Sequence, residues 1–454
     1  MTHVHLIGIG GTGISSIARV LVEKGYTVSG SDRLLSPLAR DLAPLGVTLY
    51  EGHAAANVTG ADVVVRSSAI PNDNPEVVAA RERGIPVLKR ADFLNTFLRE
   101  YELLAVAGSH GKTTTSTMLA WSLQQIGLEP GFILGGVSRN LGTNASAGGG
   151  RYFVIEADEY DYMFLGLDPA LILITNVEYD HPDFFPTPGD YHAAFISFVK
   201  RLQPKGILVT NLDHPGSAAL ATVVPPGARV VTYGLTPSAE LYAEQVRLNA
   251  RGGMDFDLSL PGQTISVSLR VPGEHNVRNA LGVLAVHYAL GTSVQQAAVA
   301  LSEYAGAARR FEVIGEVHGI TIISDYAHHP SKIKATLAAA RSRYPQKRIV
   351  AVWQPHTFSR TQALENDFIA SFHDADQVIV TDVYAARETN KDYSVADLVQ
   401  RIDYVPATHI HDLSDVTQYL AQNLQPEDVV IVMSAGDADQ VCIHLLQVLQ
   451  ERKG

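Results

Sequence analysis

The stretch Leu103-Leu-Ala-Val-Ala-Gly-Ser-His-Gly-Lys-Thr-Thr-Thr115 decides how the rest of this chain is read. Its apolar start has the length of a buried strand, its glycines mark a turn, and Lys112 opens a pattern that predicts a helix to about Ile126. A strand that runs through a glycine loop into a helix presents backbone amides at the helix N-terminus, where they hold phosphate oxygens. On that reading Gly108, Ser109, His110, Gly111 and Thr114 surround a polyphosphate. The Lys112 ammonium bridges its terminal phosphates, and the Thr113 hydroxyl is offered to Mg²⁺. The spacing is shorter than a strict Walker A loop, since only two residues separate Gly108 from Gly111.

Upstream, residues 3–98 alternate apolar runs with helical patterns: HVHLIGI, a helix from about Ile14 to Lys24, YTVSGSD, a helix near Pro37 to Leu45, then ADVVVRSS. This rhythm predicts a parallel α/β unit. Its own loop, Gly8-Ile-Gly10-Gly11-Thr12-Gly13, has the G-x-G-x-x-G spacing that lets a backbone approach a pyrophosphate, and Asp32 follows at the distance of a ribose contact. By spacing alone the loop serves a dinucleotide, another nucleotide or a plain tight turn.

Downstream, FVIEAD, LILITNVEYDH and GILVTN continue the second unit. Between about Arg229 and Val271 period-two alternation, clearest in MDFDLSL and TISVSLRV, predicts antiparallel strands added to the central domain. EHNVRNALGVLAVHYAL is helical again. After Arg310 a third unit follows: GITIISDY, a helix from about Pro330 to Arg343, RIVAVWQP, a helix to about Phe372, QVIVTDVY and DVVIVMSAGD. The expected class is α/β in three domains. Residues 1–99 carry a Rossmann-like parallel sheet, 100–310 a P-loop ATPase-type domain with added antiparallel strands, and 311–454 a second Rossmann-like domain. SAGGGR at 146–151 reads as a flexible connector.

The bulk properties suit an enzyme. A chain of 454 residues with 46% hydrophobic and 18% charged residues exceeds one core and fills several. A net charge of −12 argues against a general nucleic-acid binder, so anionic substrates need local basic sites. The single cysteine, Cys442, excludes an internal disulfide, and its VCIHLL setting predicts a buried helix position. The start MTHVHLIGIGG is not a signal peptide, and no apolar run approaches a membrane span, so the expected location is the cytoplasm.

Two acidic stretches end later strands: Glu156-Ala-Asp158-Glu159-Tyr160-Asp161 and Asn176-Val-Glu178-Tyr-Asp180-His181. Mg²⁺ favours few carboxylates plus phosphates and water, so Glu156 and His181 join Thr113 as expected metal ligands, and the other acids read largely as solvated loop residues. No histidine spacing beside them has the form of a structural zinc site.

In order, GSHGKTT, EADEYD, NVEYDH, EHNVRNA, RRFE, DYAHHP and QPHTFSRT resemble the signature blocks of the Mur ligase family over residues 3 to about 440. Within it, GIGGTGISSIARVL, SSAI and QPHTFSRT resemble the branch that joins L-alanine to UDP-N-acetylmuramate. The resemblance implies a UDP-sugar domain, a central ATPase and a domain that brings the amino acid. It assigns the first loop, with Gly8, Gly10, Gly11, Thr12, Gly13, Asp32, Ser67 and Ser68, to the UDP-sugar instead of NAD. It places His275, Asn276 and Asn279 at adenine, and Arg310 and Asp325 at ATP from across the domain boundary. It sets His328, His329 and Arg360 at the amino-acid end, with Lys112, His329 and Arg360 as catalytic groups. ATP and Mg²⁺, with Mn²⁺ as an alternative, are the implied cofactors, in a monomer or homodimer that inserts in no membrane. A carboxylate is a poor acyl donor, so ATP converts it to a mixed anhydride that a neutral amine attacks.

Three positions depart from the pattern. Tyr160-Asp161 follows EADE where alanine ligases carry Ser-Asp, and it matches the related ligase that reattaches recycled tripeptide. Ser324-Asp325-Tyr326 stands for Asp-Asp-Tyr, and Thr357 replaces an arginine. An oxidoreductase would use only the first loop and leave GKTTT unexplained. A nucleotide-binding regulator would leave the strand-end acids and HHP unexplained.

Overall fold

The structure is a computed structural model describing residues 2–386, 388 and 393–451. Its strands form three sheets. The first is five-stranded and parallel, in the spatial order Thr48–Glu51, Thr27–Asp32, His3–Ile7, Val63–Arg66, Val87–Lys89. Chain order reverses beside His3–Ile7, the switch point at which open α/β sheets bind ligands, and the Gly8 loop lies there.

The central sheet has ten strands. Its parallel heart is Arg229–Gly234, Ile207–Asn211, Leu171–Ile174, Glu102–Ala107, Tyr152–Glu156 and Gly131–Ile133. Leu241–Leu248, Met254–Leu260 and Gln263–Ser268 extend one edge as an antiparallel meander. Arg229–Gly234 departs from expectation, because it pairs parallel with Ile207–Asn211. Its alternation reports a strand with one better-covered face, which sets no direction. The third sheet has six strands, all parallel except the edge strand Glu312–Val317.

Fully buried runs such as LILI, IVAVW and VVIVM form the middle strands, since parallel strands are covered on both faces. One apolar core runs from Val4, Leu6 and Leu21 of the first sheet and its helix into Leu103, Phe153 and Phe195 of the central body. The third sheet has its own cores, around Trp353 on one face and Cys442 on the other. Cys442 is buried in the helix Gln440–Glu451, and burial pushes its thiol up to about 12.

Three local differences have simple causes. The expected helix Pro37 to Leu45 divides into Pro37–Arg40 and a 3₁₀ turn Ala43–Leu45, with Pro44 inside the turn. The helix expected to about Phe372 is likewise two short pieces, Phe358–Ala363 and Glu365–Ile369. SAGGGR is no loose connector. Ala145–Ser146 is an edge strand, and a Cβ on Gly150 would lie 2.0 Å from the Leu128 carbonyl oxygen. The amides of Gly149 and Gly150 both donate to Glu129 O, so these glycines serve close packing. That edge is covered by the helix Thr12–Glu23: Glu23 Oε2 accepts from Ala147 N at 2.7 Å, and Asn144 Nδ2 donates to Ser16 Oγ at 2.8 Å. No helix among the described residues is long and apolar enough to cross a membrane.

Candidate active site

The parallel strands Glu102–Ala107, Tyr152–Glu156 and Leu171–Ile174 end on one side of the central sheet and deliver the 108–112 loop, Glu156 and the segment 176–181. Facing them, the third body presents Asp325, His328 and Arg360, with Arg310 on the segment leading into it. Between the two lies a cavity of about 620 Å³.

Gly108 takes φ 133° and Gly111 φ 84°. A Cβ on Gly108 would lie 2.0 Å from Thr175 Oγ1, and one on Gly111 2.6 Å from Asn279 Oδ1, so side chains are excluded where phosphate would approach. The helix Lys112–Gln125 starts here with no side-chain cap, leaving its amides for an anion. Ser109 Oγ donates to Glu178 O at 2.6 Å, and His110 N donates to Asn176 Oδ1 at 3.0 Å, which hold the loop. Lys112 Nζ donates to Gly108 O at 2.7 Å and to the buried Glu159 at 2.6 Å. Burial alone would lower the lysine's pKa, but Glu159, Asp158 and Glu156 outweigh it and raise it. Thr114 lines the cavity.

Thr113 Oγ1 donates to Glu156 Oε1 at 3.1 Å and accepts from Arg310 Nη2 at 3.0 Å. Burial raises the Glu156 pKa against the pull of Lys112 and Arg310, so this carboxylate gains from a cation. Hard oxygen donors of this kind fit Mg²⁺ or Mn²⁺. His181, at φ 59°, places Nε2 3.6 Å from Glu159 Oε1, making Glu159 its nearest acid.

His275, Asn276 and Asn279 stand in the first turns of Glu274–Leu290 and line the same cavity. Asn276 Nδ2 donates to Pro272 O, and Asn279 Nδ2 to Asn276 Oδ1. Burial lowers the His275 ring to about 4, leaving it neutral. Asp325 accepts from the amides of Phe311 and Ala327, each at 2.7 Å, and burial raises its pKa.

The two adjacent histidines differ. His329 caps the helix Pro330–Arg343: its Nδ1 accepts from Ser331 N at 3.3 Å, so its Nε2 donates to Tyr179 O. Its ring is spent on packing and capping, and it does not line the cavity. His328 does, and burial holds it neutral, reinforced by Lys332 and Arg360. Arg360 is buried and forks three ways: Nε to Asp180 at 2.9 Å, Nη1 to His356 Nδ1 at 3.1 Å, and Nη2 to His181 Nδ1 at 3.3 Å. Glu365, its neighbour on a helical surface, pairs with Arg401 instead.

Gly8, Gly10, Gly11, Thr12, Gly13, Asp32, Ser67 and Ser68 gather at the end of the first sheet and do not line this cavity. Asp32 accepts from Gly10 N at 2.8 Å, Ser67 N donates to Ile7 O, and Ser68 is exposed. Arg90 links the two regions. It lies where a Cβ on Gly13 would come within 2.2 Å of its Nη1, and its Nη2 is 3.9 Å from Asp158.

Sequence reasoning passed over Arg90, Glu178, Asp180 and Lys332 as functional positions and kept Glu159 only as the alternative to Glu156. Glu178 accepts from His110 Nε2 and Ser331 Oγ, each at 2.6 Å, and these bonds, against burial, bring its carboxyl down to about 2. Asp180 is buried, yet Arg360 beside it holds its carboxyl well below the usual range. Lys332 lines the cavity 3.3 Å from His328 Nε2, and burial lowers it to about 8. A lysine two residues past a helix-opening proline was the only available signal for the last.

Comparison with known proteins agrees along the whole chain. Residues 3–102 match the Mur ligase family catalytic domain, 106–287 the Mur ligase middle domain, and 309–436 the Mur ligase glutamate ligase domain. The UDP-N-acetylmuramate–L-alanine ligase of Syntrophus aciditrophicus is 40% identical over 454 residues, covering 99% of this chain and 94% of the relative. That of Roseiflexus sp. is 41% identical over 471 residues, covering 99% and 100%. The crystal structure of UDP-N-acetylmuramate-alanine ligase from Thermotoga maritima superposes with a TM-score of 0.85 at 27% identity, covering all of both chains. A murein peptide ligase from Psychrobacter arcticus gives 0.74 at 27% identity, also covering 100% of each.

Proposed function

The chain belongs to the Mur ligase family, and from that premise we propose that its cleft joins L-alanine to the lactyl carboxylate of UDP-N-acetylmuramate. ATP supplies the acyl phosphate, ADP and phosphate leave, and the product is a peptidoglycan precursor. The observation that carries the reading is the cavity itself, in which the phosphate loop of one body meets Arg310 and Arg360 from the other.

In this assignment residues 1–99 bind the UDP-sugar through the Gly8 loop, 100–310 bind ATP, and 311–454 bring the amino acid, in a cytoplasmic monomer or homodimer. Lys112 and the loop amides hold the ATP phosphates, and Arg310 reaches the same end. Mg²⁺ held by Thr113, Glu156 and His181 supplies countercharge when bound. Neutral His275 with Asn276 and Asn279 receives the adenine. The two outer nitrogens of Arg360 face the alanine carboxylate. His329 orients that end of the site through its helix, while neutral His328 and low-pKa Lys332 lie in the cavity to receive an amine proton.

The second reading, attachment of a recycled tripeptide, rests on Tyr160-Asp161. A phosphate-release assay with ATP, UDP-N-acetylmuramate and each of alanine, glycine, serine and tripeptide separates the two. Alanine is expected to give the highest kcat/KM. Turnover with tripeptide alone would replace the first reading with the second.

A further inference from the structure

Beyond the cleft, Asp382, His409 and His411 come together at the far end of the third sheet, their ligand atoms all within 4.8 Å of one another. The strands Gln377–Val380 and Ala407–His409 run parallel with Val380 opposite His409. Ile410 N donates to Val380 O, so the pairing continues one residue beyond the strand and brings Asp382 level with His411. Side chains two apart on an extended chain share a face, so His409 and His411 project together from one strand while Asp382 projects from its neighbour. Asp382 Oδ1 is 2.8 Å from His409 Nε2 and 3.0 Å from His411 Nδ1, and the two rings lie 4.4 Å apart.

We propose that Asp382, His409 and His411 form a binding site for a divalent transition metal of the zinc class. Two borderline imidazoles with one carboxylate make a donor set that Zn²⁺ takes, at about 2.0–2.2 Å each. Ligands at those distances around a tetrahedral ion stand about 3.3 Å apart. The observed gaps of 2.8 and 3.0 Å therefore open by a few tenths of an ångström, which the exposed Asp382 and His411 side chains allow around the more buried His409. On binding, the nitrogen of each ring that faces Asp382 turns a lone pair to the ion, and the ring carries its proton on the other nitrogen. His411 is 73% exposed and Asp382 61%, which leaves the remaining coordination to water.

Among the described residues the other group of similar composition, His110, Glu178 and His329, belongs to the cleft. Its His329 has both ring nitrogens engaged outside the group, with Ser331 N and Tyr179 O.

The site has a structural consequence. Asp382 leads into Tyr384, whose amide donates to Pro355 O and whose carbonyl accepts from Thr357 N. Glu388 follows, accepting from the amides of Phe358 and Ser359 at the start of the helix that carries Arg360. An ion on Asp382 anchors the near end of the segment that seats this helix.

The test is isothermal titration of the full chain with Zn²⁺, without nucleotide and with excess Mg²⁺ to occupy hard-oxygen sites. The wild type is expected to bind one Zn²⁺ per chain, and Co²⁺ in its place to give visible d–d absorption. His411→Ala, an exposed change that spares the fold, should weaken binding by on the order of a hundredfold. His409→Ala/His411→Ala should lose the bound ion and the Co²⁺ spectrum while keeping ATP-dependent turnover in Mg²⁺. Unchanged Zn²⁺ affinity and stoichiometry in the double variant would place the ion elsewhere and overturn the proposal, as would a wild type that binds none.

Discussion

Replacing Arg360 with lysine tests the amino-acid end of the cleft most directly. The guanidinium spends Nε on Asp180 at 2.9 Å, a carboxylate that is 1% exposed, and this bond fixes the side chain. Its outer nitrogens meet two imidazoles, at 3.1 and 3.3 Å, and the His356 carbonyl at 3.4 Å. A substrate carboxylate is the stronger acceptor, so both outer nitrogens transfer to it while Nε stays on Asp180. An ammonium in the same place keeps the charge but cannot hold Asp180 and a bidentate partner together. A hydrogen bond to a charged group contributes about 1.5–3 kcal/mol net. Each 1.4 kcal/mol is about tenfold in binding. Loss of one of the two bonds in Arg360→Lys therefore predicts a KM for alanine raised by roughly 10- to 100-fold. The KM for ATP should stay within about twofold, because no ATP contact is assigned to Arg360. The assay is phosphate release with alanine varied at saturating ATP and UDP-N-acetylmuramate. An unchanged alanine KM, or a loss confined to ATP, would refute the assignment and move the alanine site to His328 and Lys332.

Glu156→Gln keeps the shape but removes the charge beside Thr113, so its Mg²⁺ requirement for turnover should rise by about tenfold or more; a wild-type Mg²⁺ titration curve would transfer the ligand role to Glu159. Lys332 has a folded pKa of about 8, below its ordinary value, so its charged form costs stability throughout the range below about 8, and that cost fades as pH rises from there toward 10.5. Lys332→Met should therefore melt higher than wild type at pH 7, with the gap narrowing by pH 10, as read by calorimetry. ATP and UDP-N-acetylmuramate together should compact the protein in small-angle scattering, because the ATP groups come from two bodies.

The parts of this architecture that local chemistry dictates were legible in the sequence. LLAVAG before Lys112, and buried runs such as IVAVW, announce parallel strands because nothing else buries four or five consecutive apolar residues so readily. The loop glycines are needed by their own backbone, and so could be recognised. What could not be read is partnership across the chain. Asp180 and Arg360 are 180 residues apart, and only the meeting of two bodies makes them a pair. Glycines 148–150 look like slack because sequence does not distinguish a residue that is small for freedom from one that is small for contact. One of His328 and His329 could be expected to cap the helix that Pro330 opens, and only the folded helix start shows that it is His329.

The two joints in this molecule are made of different materials. The first and central bodies share one apolar core and are riveted where Glu23 and Ser16 hold the sheet edge. The third body meets the central one through polar bonds, Arg360 to Asp180, Ser331 to Glu178 and Arg139 to Glu312, with Arg310 to Thr113 on the segment that joins them. An oily joint resists shear because sliding exposes it to water, whereas polar bonds can be exchanged one by one for water or for substrate oxygens. On that contrast the third body is the one expected to move against the other two, which the scattering experiment above checks. The segment that joins them, 306–311, holds Gly306, Arg309 and Phe311 at positive φ. The Arg310 and Ser331 bonds lie in the cleft, where a bound phosphate or carboxylate can take their place, so the ligands themselves can fasten the two bodies.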